Sequence, residues 1–224
     1  MKNIVFLFFF FFATGFWSQS NDSVYQSRVD FGFSFSPDYS YRILKTGATD
    51  TWMKNYYDTL EVPRFSYTIG LNVVFNLNER FFLSTGLLFA DRGEKTKKYI
   101  IPPVNNYLNH YYYLCVPVKA NYYVLLKKVK LFVTAGFAAD IYLNGQSNVD
   151  VGSSGEQKIV GLSSNLTRLT FSFIGGAGLD CPLTDRWYFK LEPLYRRSLT
   201  PIANSDIKKY FYSAGLNLGF YFKF

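Results

Sequence analysis

Asn217-Leu218-Gly219-Phe220-Tyr221-Phe222-Lys223-Phe224 closes the chain. Leu218, Phe220, Phe222 and Phe224 share one side of an extended strand, and Asn217, Gly219, Tyr221 and Lys223 share the other. One reading is an ordinary edge strand at the end of a soluble sheet. A soluble protein gains little by ending on an apolar strand. A strand that closes a barrel in lipid requires this pattern, because one face meets hydrocarbon, the other meets a polar lumen, and closure leaves no sheet edge. The choice depends on whether the rest of the chain repeats the alternation.

Seven further segments do. The predicted strands run Val29–Arg42, Arg64–Leu77, Arg80–Arg92, Tyr111–Leu126, Lys130–Leu143, Arg168–Cys181, Arg186–Arg196 and Tyr210–Phe224. In the second, Phe65, Tyr67, Ile69, Leu71, Val73, Phe75 and Leu77 oppose Arg64, Ser66, Thr68, Gly70, Asn72, Val74 and Asn76. A helix would place apolar residues at spacings of three and four, which these segments lack. The second faces are rich in small and polar residues, as expected for an eight-stranded barrel whose interior has room for little else. A soluble ligand-binding barrel would invert the pattern. Aromatics make up 21% of the chain, with 24 Phe and 19 Tyr, a load that suits strands with aromatic girdles better than helices.

The connections alternate in length as well. Asn78–Glu79, Lys127–Val129 and Pro182–Asp185 are short, whereas Ile43–Pro63, Gly93–His110, Asn144–Thr167 and Arg197–Lys209 are long. Short turns at one end and long loops at the other predict an all-β, eight-stranded, antiparallel, up-and-down transmembrane β-barrel with both termini on the turn side. The longest strands exceed the roughly 9–11 residues a crossing needs, so they should project on the loop side. The Val151–Gln157 stretch, rich in Gly and Ser, is expected to be a mobile loop. Pro117 and Pro193 each remove a ladder donor, and a bulge is expected at each.

The other end of the chain points to export. Lys2 precedes the apolar run Ile4–Ala13, and Ser18, Gln19 and Ser20 offer small residues before Asn21. Residues 1–20 are therefore expected to be a signal peptide and residues 21–224 the barrel domain. The apolar run is too short for a spanning helix of about 20 residues. No Cys follows it, which argues against a lipid anchor. The net charge of +8 suits an anionic lipid surface or a polar lumen, and export argues against nucleic acid. Cys115 and Cys181 fall in strands that are not neighbours, so a disulfide is geometrically doubtful. No Cys or His spacing suggests a metal, and no cofactor is expected.

Counting from the short turns places Lys119, Lys190 and Glu192 near mid-lumen, with Asp140 and Arg196 somewhat higher. Unpaired charges there would be costly, so Glu192 should pair with Lys119, Lys190 or Arg196. The favoured reading is a polar plug, and the alternative is an ion pathway. Arg42, Arg64, Arg92 and Arg168 share inward parity near the loop side. They would form a basic ring at the outer mouth suited to phosphate or carboxylate, unless they pair with Asp38, Asp91 and loop acids. His110 begins the fourth strand on the outer face. A lipid hydrolase would need a Ser beside it and a third orienting group, and Glu61 and Glu94 lie in loops without an evident Ser; no catalytic residue is assigned. Trp52, Tyr56, Tyr57, Tyr99 and Tyr107 suit interfacial anchors or a protein-contact surface.

Asn217, Gly219, Phe222 and Phe224 resemble the C-terminal signal read by the bacterial barrel-insertion machinery. The eight-strand pattern resembles small outer-membrane barrels of the OmpA/OmpX type. Tyr113-Leu114-Cys115-Val116-Pro117-Val118-Lys119, Gly175-Gly176-Ala177-Gly178-Leu179 with Leu183, and Leu191-Glu192-Pro193 with Tyr195 look like motifs of the PorT-like outer-membrane β-barrel family of Bacteroidota. That resemblance implies a bacterial outer-membrane protein with extracellular loops and periplasmic termini. It also implies contact with outer-membrane lipid and lipopolysaccharide, assembly by the barrel machinery, and for some members assistance to a protein-secretion complex. It names no activity. The expected role is structural or interactive and not enzymatic. The alternative is a narrow pore for small solutes or ions, and a lipid-modifying enzyme comes third.

Overall fold

The computed structural model describes residues 28–46, 51–97, 106–151, 156–162, 166–203 and 207–224. The predicted signal peptide and Tyr99 lie outside them. Among the described residues there are ten strands: β1 Val29–Lys45, β2 Glu61–Asn76, β3 Phe81–Arg92, β4 Glu94–Thr96, β5 Tyr107–Leu126, β6 Lys130–Val151, β7 Glu156–Gly161, β8 Leu169–Pro182, β9 Trp187–Ser198 and β10 Lys208–Lys223. A helix, α1, spans Thr51–Leu60.

Eight of the strands close a ring in the order β1, β2, β3, β5, β6, β8, β9, β10 and back to β1, with every pairing antiparallel. Closure runs from Asp30 opposite Lys223 to Lys45 opposite Lys208. The alternation seen in the sequence is the alternation of the wall. Phe31, Phe33, Phe65, Leu71, Phe137 and Phe220 stand exposed on the outside, while the residues between them are buried in the lumen. A closed ring of this kind satisfies the backbone while presenting hydrocarbon outward. Among the described residues no helix is long and apolar enough to cross a membrane.

The loop side departs from the sequence reading. β1 continues to Lys45, and the first long connection contains α1. β5 begins at Tyr107, and β6 runs to Val151, where β7 folds back on it as a hairpin above the ring. The segment expected to be a mobile loop therefore contributes strand at both ends, residues 152–155 lying outside the described residues. Weak alternation in these polar extensions hid them, because strands in water need no apolar face.

The prolines do not produce bulges. Across Pro117 the β3–β5 ladder breaks between the Thr85–Val118 and Leu88–Cys115 pairs and resumes in the same register. Pro193 interrupts β8–β9 between Gly176–Leu194 and Leu179–Leu191 in the same way, and Pro37 interrupts β1–β10 between Phe35–Leu218 and Asp38–Gly215. Each proline removes a donor and opens the ladder locally. A one-residue slip would turn every side chain of the strand to the wrong face, so register is held on both flanks.

The lumen is also less uniformly small and polar than expected. Val74, Phe82, Tyr123, Phe132, Tyr188 and Tyr221 form a buried cluster near the turn side. Leu88, Ala90, Tyr111, Tyr113, Cys115, Ile202 and Phe211 form another toward the loops. Glycines make the room. A Cβ on Gly219 would sit 2.6 Å from the Tyr221 ring, and one on Gly178 would overlap the Phe132 ring.

Candidate functional site

The lumen is the place where charged side chains converge, and they do so in layers. Nearest the turns, the Lys190 ammonium lies 4.4 Å from the ring centroids of both Phe82 and Phe132 and 5.3 Å from that of Tyr221. Its carboxylate partner is Asp180, at 3.4 Å. Asp180 also accepts a 2.5 Å hydrogen bond from Tyr123, and Asp30 accepts one of 3.0 Å from Tyr188. A cation among rings and a carboxylate is stabilised by the ring quadrupoles as well as by the ion pair.

At mid-height Lys119 donates to both oxygens of Glu192, at 2.8 and 2.7 Å, and Asn217 donates to the same carboxylate at 3.0 Å. Glu192 is completely buried. A buried carboxylate with three charge-assisted or amide donors has its desolvation offset. Asn217, part of the C-terminal strand motif, thus serves the lumen, and Gly219 makes space for Tyr221. Phe222 and Phe224 face outward, against Trp187 and Phe31 respectively.

Higher up, Asp38 accepts from Ser36 and Thr68, both at 2.6 Å, and Arg196 donates to Thr68 at 3.3 Å. Between this layer and the Lys119 layer is a cavity of about 10 Å³ bordered by Ser36, Thr68, Asn72, Lys119, Arg196 and Asn217. That is about the room one water molecule needs. Above it, Arg92 grips Asp140 with bonds of 2.9 and 3.1 Å, and Ser172 donates to the same carboxylate. The Cys115 thiol lies 3.5 Å from Arg92, and both Cys115 and Cys181 are free.

Beyond the apolar belt, Glu94 accepts from Lys209 at 2.7 Å and from Asn109 at 3.0 Å. Glu61 takes Arg42 and the Tyr107 hydroxyl. Burial, and next the neighbouring Glu94 charge, hold the Glu61 carboxyl above the usual carboxylate range despite Arg42. Burial pushes the Tyr107 phenol up, and its bond to Glu61 adds to that.

The four arginines therefore form no ring. Arg42 is committed to Glu61, and Arg92 reaches inward to Asp140. Arg64 leaves the lumen. Tyr67 pairs with Asp91 and Pro63 with Glu94, so three residues of β2 oppose two of the neighbouring strand, and this local excess turns Arg64 onto Asp91. Arg168 precedes β8 and is exposed. Parity fixes the facing of a side chain within a regular strand, but it loses meaning where a strand bulges or ends. The proposed lumen set of Lys119, Asp140, Lys190, Glu192 and Arg196 is likewise distributed over separate layers: Glu192 takes Lys119, Lys190 takes Asp180, and Asp140 takes Arg92. The aromatic surroundings of Lys190 had no signal in the sequence beyond the inward parity of Phe82, Phe132 and Tyr221.

His110 lies beside Asp91, with Nδ1 3.0 Å from one carboxylate oxygen. That carboxylate is shared with Arg64. No serine hydroxyl among the described residues hydrogen-bonds His110, and Glu61 and Glu94 face the lumen instead. Tyr107 also points to the lumen, whereas Trp52 and Tyr56 of α1 are exposed. Among the described residues no cluster of His, Cys, Asp or Glu is arranged to hold a metal ion.

Residues 17–204 match the model of the outer membrane protein β-barrel domain family. Solved structures of similar architecture include Neisserial surface protein A, at 13% identity over 88% of this chain and 98% of that one with a TM-score of 0.46. OprG of Pseudomonas aeruginosa is 10% identical over 88% and 97%, with a TM-score of 0.47. The outer membrane enzyme PagL is 12% identical over 83% and 97%, with a TM-score of 0.39. A comparison with curated protein sequences finds no match. With the match spanning most of the ring and the wall closing as a barrel, the chain belongs to the outer membrane protein β-barrel domain family.

Proposed function

We propose that this protein is a closed structural and contact barrel of the outer membrane, through whose lumen no solute passes. The observation that carries this reading is the filling of the lumen, among the described residues, by successive layers of paired charges and aromatic rings, with a cavity of about 10 Å³ at mid-height. Eight strands enclose little more than their own side chains. The work of such a protein lies on its wall and its loops. The long β5–β6 extension, the β6–β7 hairpin and α1 give it a surface to present.

In this reading the loops face outward from the cell and both termini face the periplasm, in keeping with short turns on the periplasmic side of such barrels. Residues 1–20 direct export. Asn217, Gly219, Phe222 and Phe224 are offered to the assembly machinery, alongside the internal duties of Asn217 and Gly219. No catalytic role is assigned in this reading, because His110 and Asp91 lack the serine hydroxyl that a lipid hydrolase would set beside them among the described residues. Help to a secretion complex is the finer role suggested by the PorT-like motifs, and a deletion strain with an unchanged secreted proteome would count against it.

The test of the closed lumen is planar-bilayer recording on refolded protein. The expected result is no steady conductance steps under conditions where a larger barrel conducts. Steady open channels would overturn the proposal.

A further inference from the structure

The outer wall carries an unexplained concentration of tyrosines and cations at the loop-side border of the apolar belt, on the adjacent strands β1, β10 and β9. Lys45 of β1 and Lys208 of β10 are direct cross-strand partners, both exposed. Like charges facing each other across a ladder are destabilising. Among the described residues no carboxylate pairs with either lysine, or with the exposed Arg197 of β9. Inside the barrel the neighbouring cations have carboxylates of their own: Lys119 has Glu192, Lys190 has Asp180 and Arg92 has Asp140. Two ammonium groups side by side on a membrane-facing wall suit an anionic group.

The surface between these cations has a definite shape. Arg197 is the register partner of Tyr212, which itself lies opposite Tyr41. Lys45 and Lys208 stand four residues farther along their strands, at a rise of about 3.3 Å per residue, so roughly 13 Å separates the two cationic points. Aromatic rings fill the interval. The Lys45 ammonium is 5.2 Å from the Tyr210 centroid, and Tyr41 and Tyr212 meet edge to face at 6.0 Å. Ring faces of this kind cover the apolar faces of sugars, and ammonium and guanidinium groups take phosphates. Below Arg197 the character changes. Ala214 lies between its register partners Tyr39 and Tyr195, and the next outward row is Pro37, Leu216 and Pro193. A small residue flanked by two tyrosines leaves a shallow channel running down into the apolar belt, suited to an acyl chain.

We propose that this wall is a binding site for a glycolipid bearing a phosphate at each end of a sugar headgroup. Lys45 with Lys208 holds one phosphate and Arg197 the other, Tyr210 and Tyr212 lie under the sugar, and an acyl chain follows Ala214. The site lies on the outer wall, apart from the lumen. It rests on the loops facing the glycolipid leaflet, but its affinity is measurable in detergent, where both sides are accessible.

The experiment uses the refolded full-length chain in a neutral detergent, with bisphosphorylated, monophosphorylated and dephosphorylated lipid A as probes and complexes counted by native mass spectrometry. The bisphosphorylated form should bind in a one-to-one complex and the dephosphorylated form much more weakly. Replacing Lys45, Lys208 and Arg197 with Gln should weaken the bisphosphorylated form about a hundredfold, at roughly a factor of five per cation near a lipid surface. The control Lys54→Gln/Lys158→Gln, placed on α1 and β7, should bind as the parent does. All three exposed positions tolerate Gln sterically, and the shift in electrophoretic mobility on boiling reports that each variant is folded. Equal binding by the dephosphorylated lipid, unchanged binding by the triple variant, or full displacement by inorganic phosphate at the same concentration as the lipid would each overturn the assignment. The last result would mark a free-phosphate site.

Discussion

Replacing Lys119 with Met tests whether the lumen is a plug made by specific pairs. Lys119 supplies two of the three hydrogen bonds to Glu192, and Asn217 supplies the remaining one. Glu192 has no solvent exposure to fall back on. Lys190 is not free to substitute, since Asp180 and the rings of Phe82 and Phe132 hold it. Removing one partner of a buried pair costs about 3–5 kcal/mol, chiefly from the charge left behind. Removing both should cost far less: Lys119→Met with Glu192→Leu should fall within about 2 kcal/mol of the parent, because desolvation of both ions is relieved. The assay is urea unfolding in lipid vesicles, followed by the heat-dependent mobility shift, for the parent, both single variants and the double. The reasoning fails if Lys119→Met costs less than about 1 kcal/mol, or if the single costs simply add in the double variant.

Other consequences are checked more quickly. Gly219→Val should displace the Tyr221 ring that covers this position and lower stability by about 1–3 kcal/mol, whereas Ala214→Val on the outer wall should not; equal effects would show that Tyr221 is not packed there. Glu61 has a folded-state pKa above its unfolded one, so its contribution to stability is complete below about pH 4.3, the ordinary Glu value, and fades as pH rises through the folded value. Glu61→Gln should therefore flatten the acid-to-neutral dependence of loop-side opening seen by hydrogen exchange, and an unchanged profile would count against the assigned environment. Cys115 is buried against Arg92. It should resist thiol reagents in the folded barrel and react once urea unfolds it, and modification at native rates equal to those of Cys181 would show an open lumen.

The closed wall was legible because period-two alternation and the contrast of short and long connections are local signals. Phe65 to Leu77 and Phe220 to Phe224 announce their faces without reference to any neighbour. The turn side was read to within a few residues, since lipid demands an uninterrupted pattern there. The loop side was not. Water imposes no such demand on the ends of β1, β5 and β6, on β7 or on α1, so their sequences carry only weak marks.

The sequence by itself determined which side of the wall each strand residue faces and that buried charges need partners. Only the closed barrel decided which partner each one takes. Lys119 and Glu192 lie 73 residues apart, and Arg92 and Asp140 lie 48 apart. They meet because strand tilt and stagger bring non-neighbouring strands to a common height across the lumen. The same stagger sets Lys45 beside Lys208 on the outside. Alternation is a property of one strand and can be read along it, whereas stagger is a property of the ring and exists only when the last strand has paired with the first.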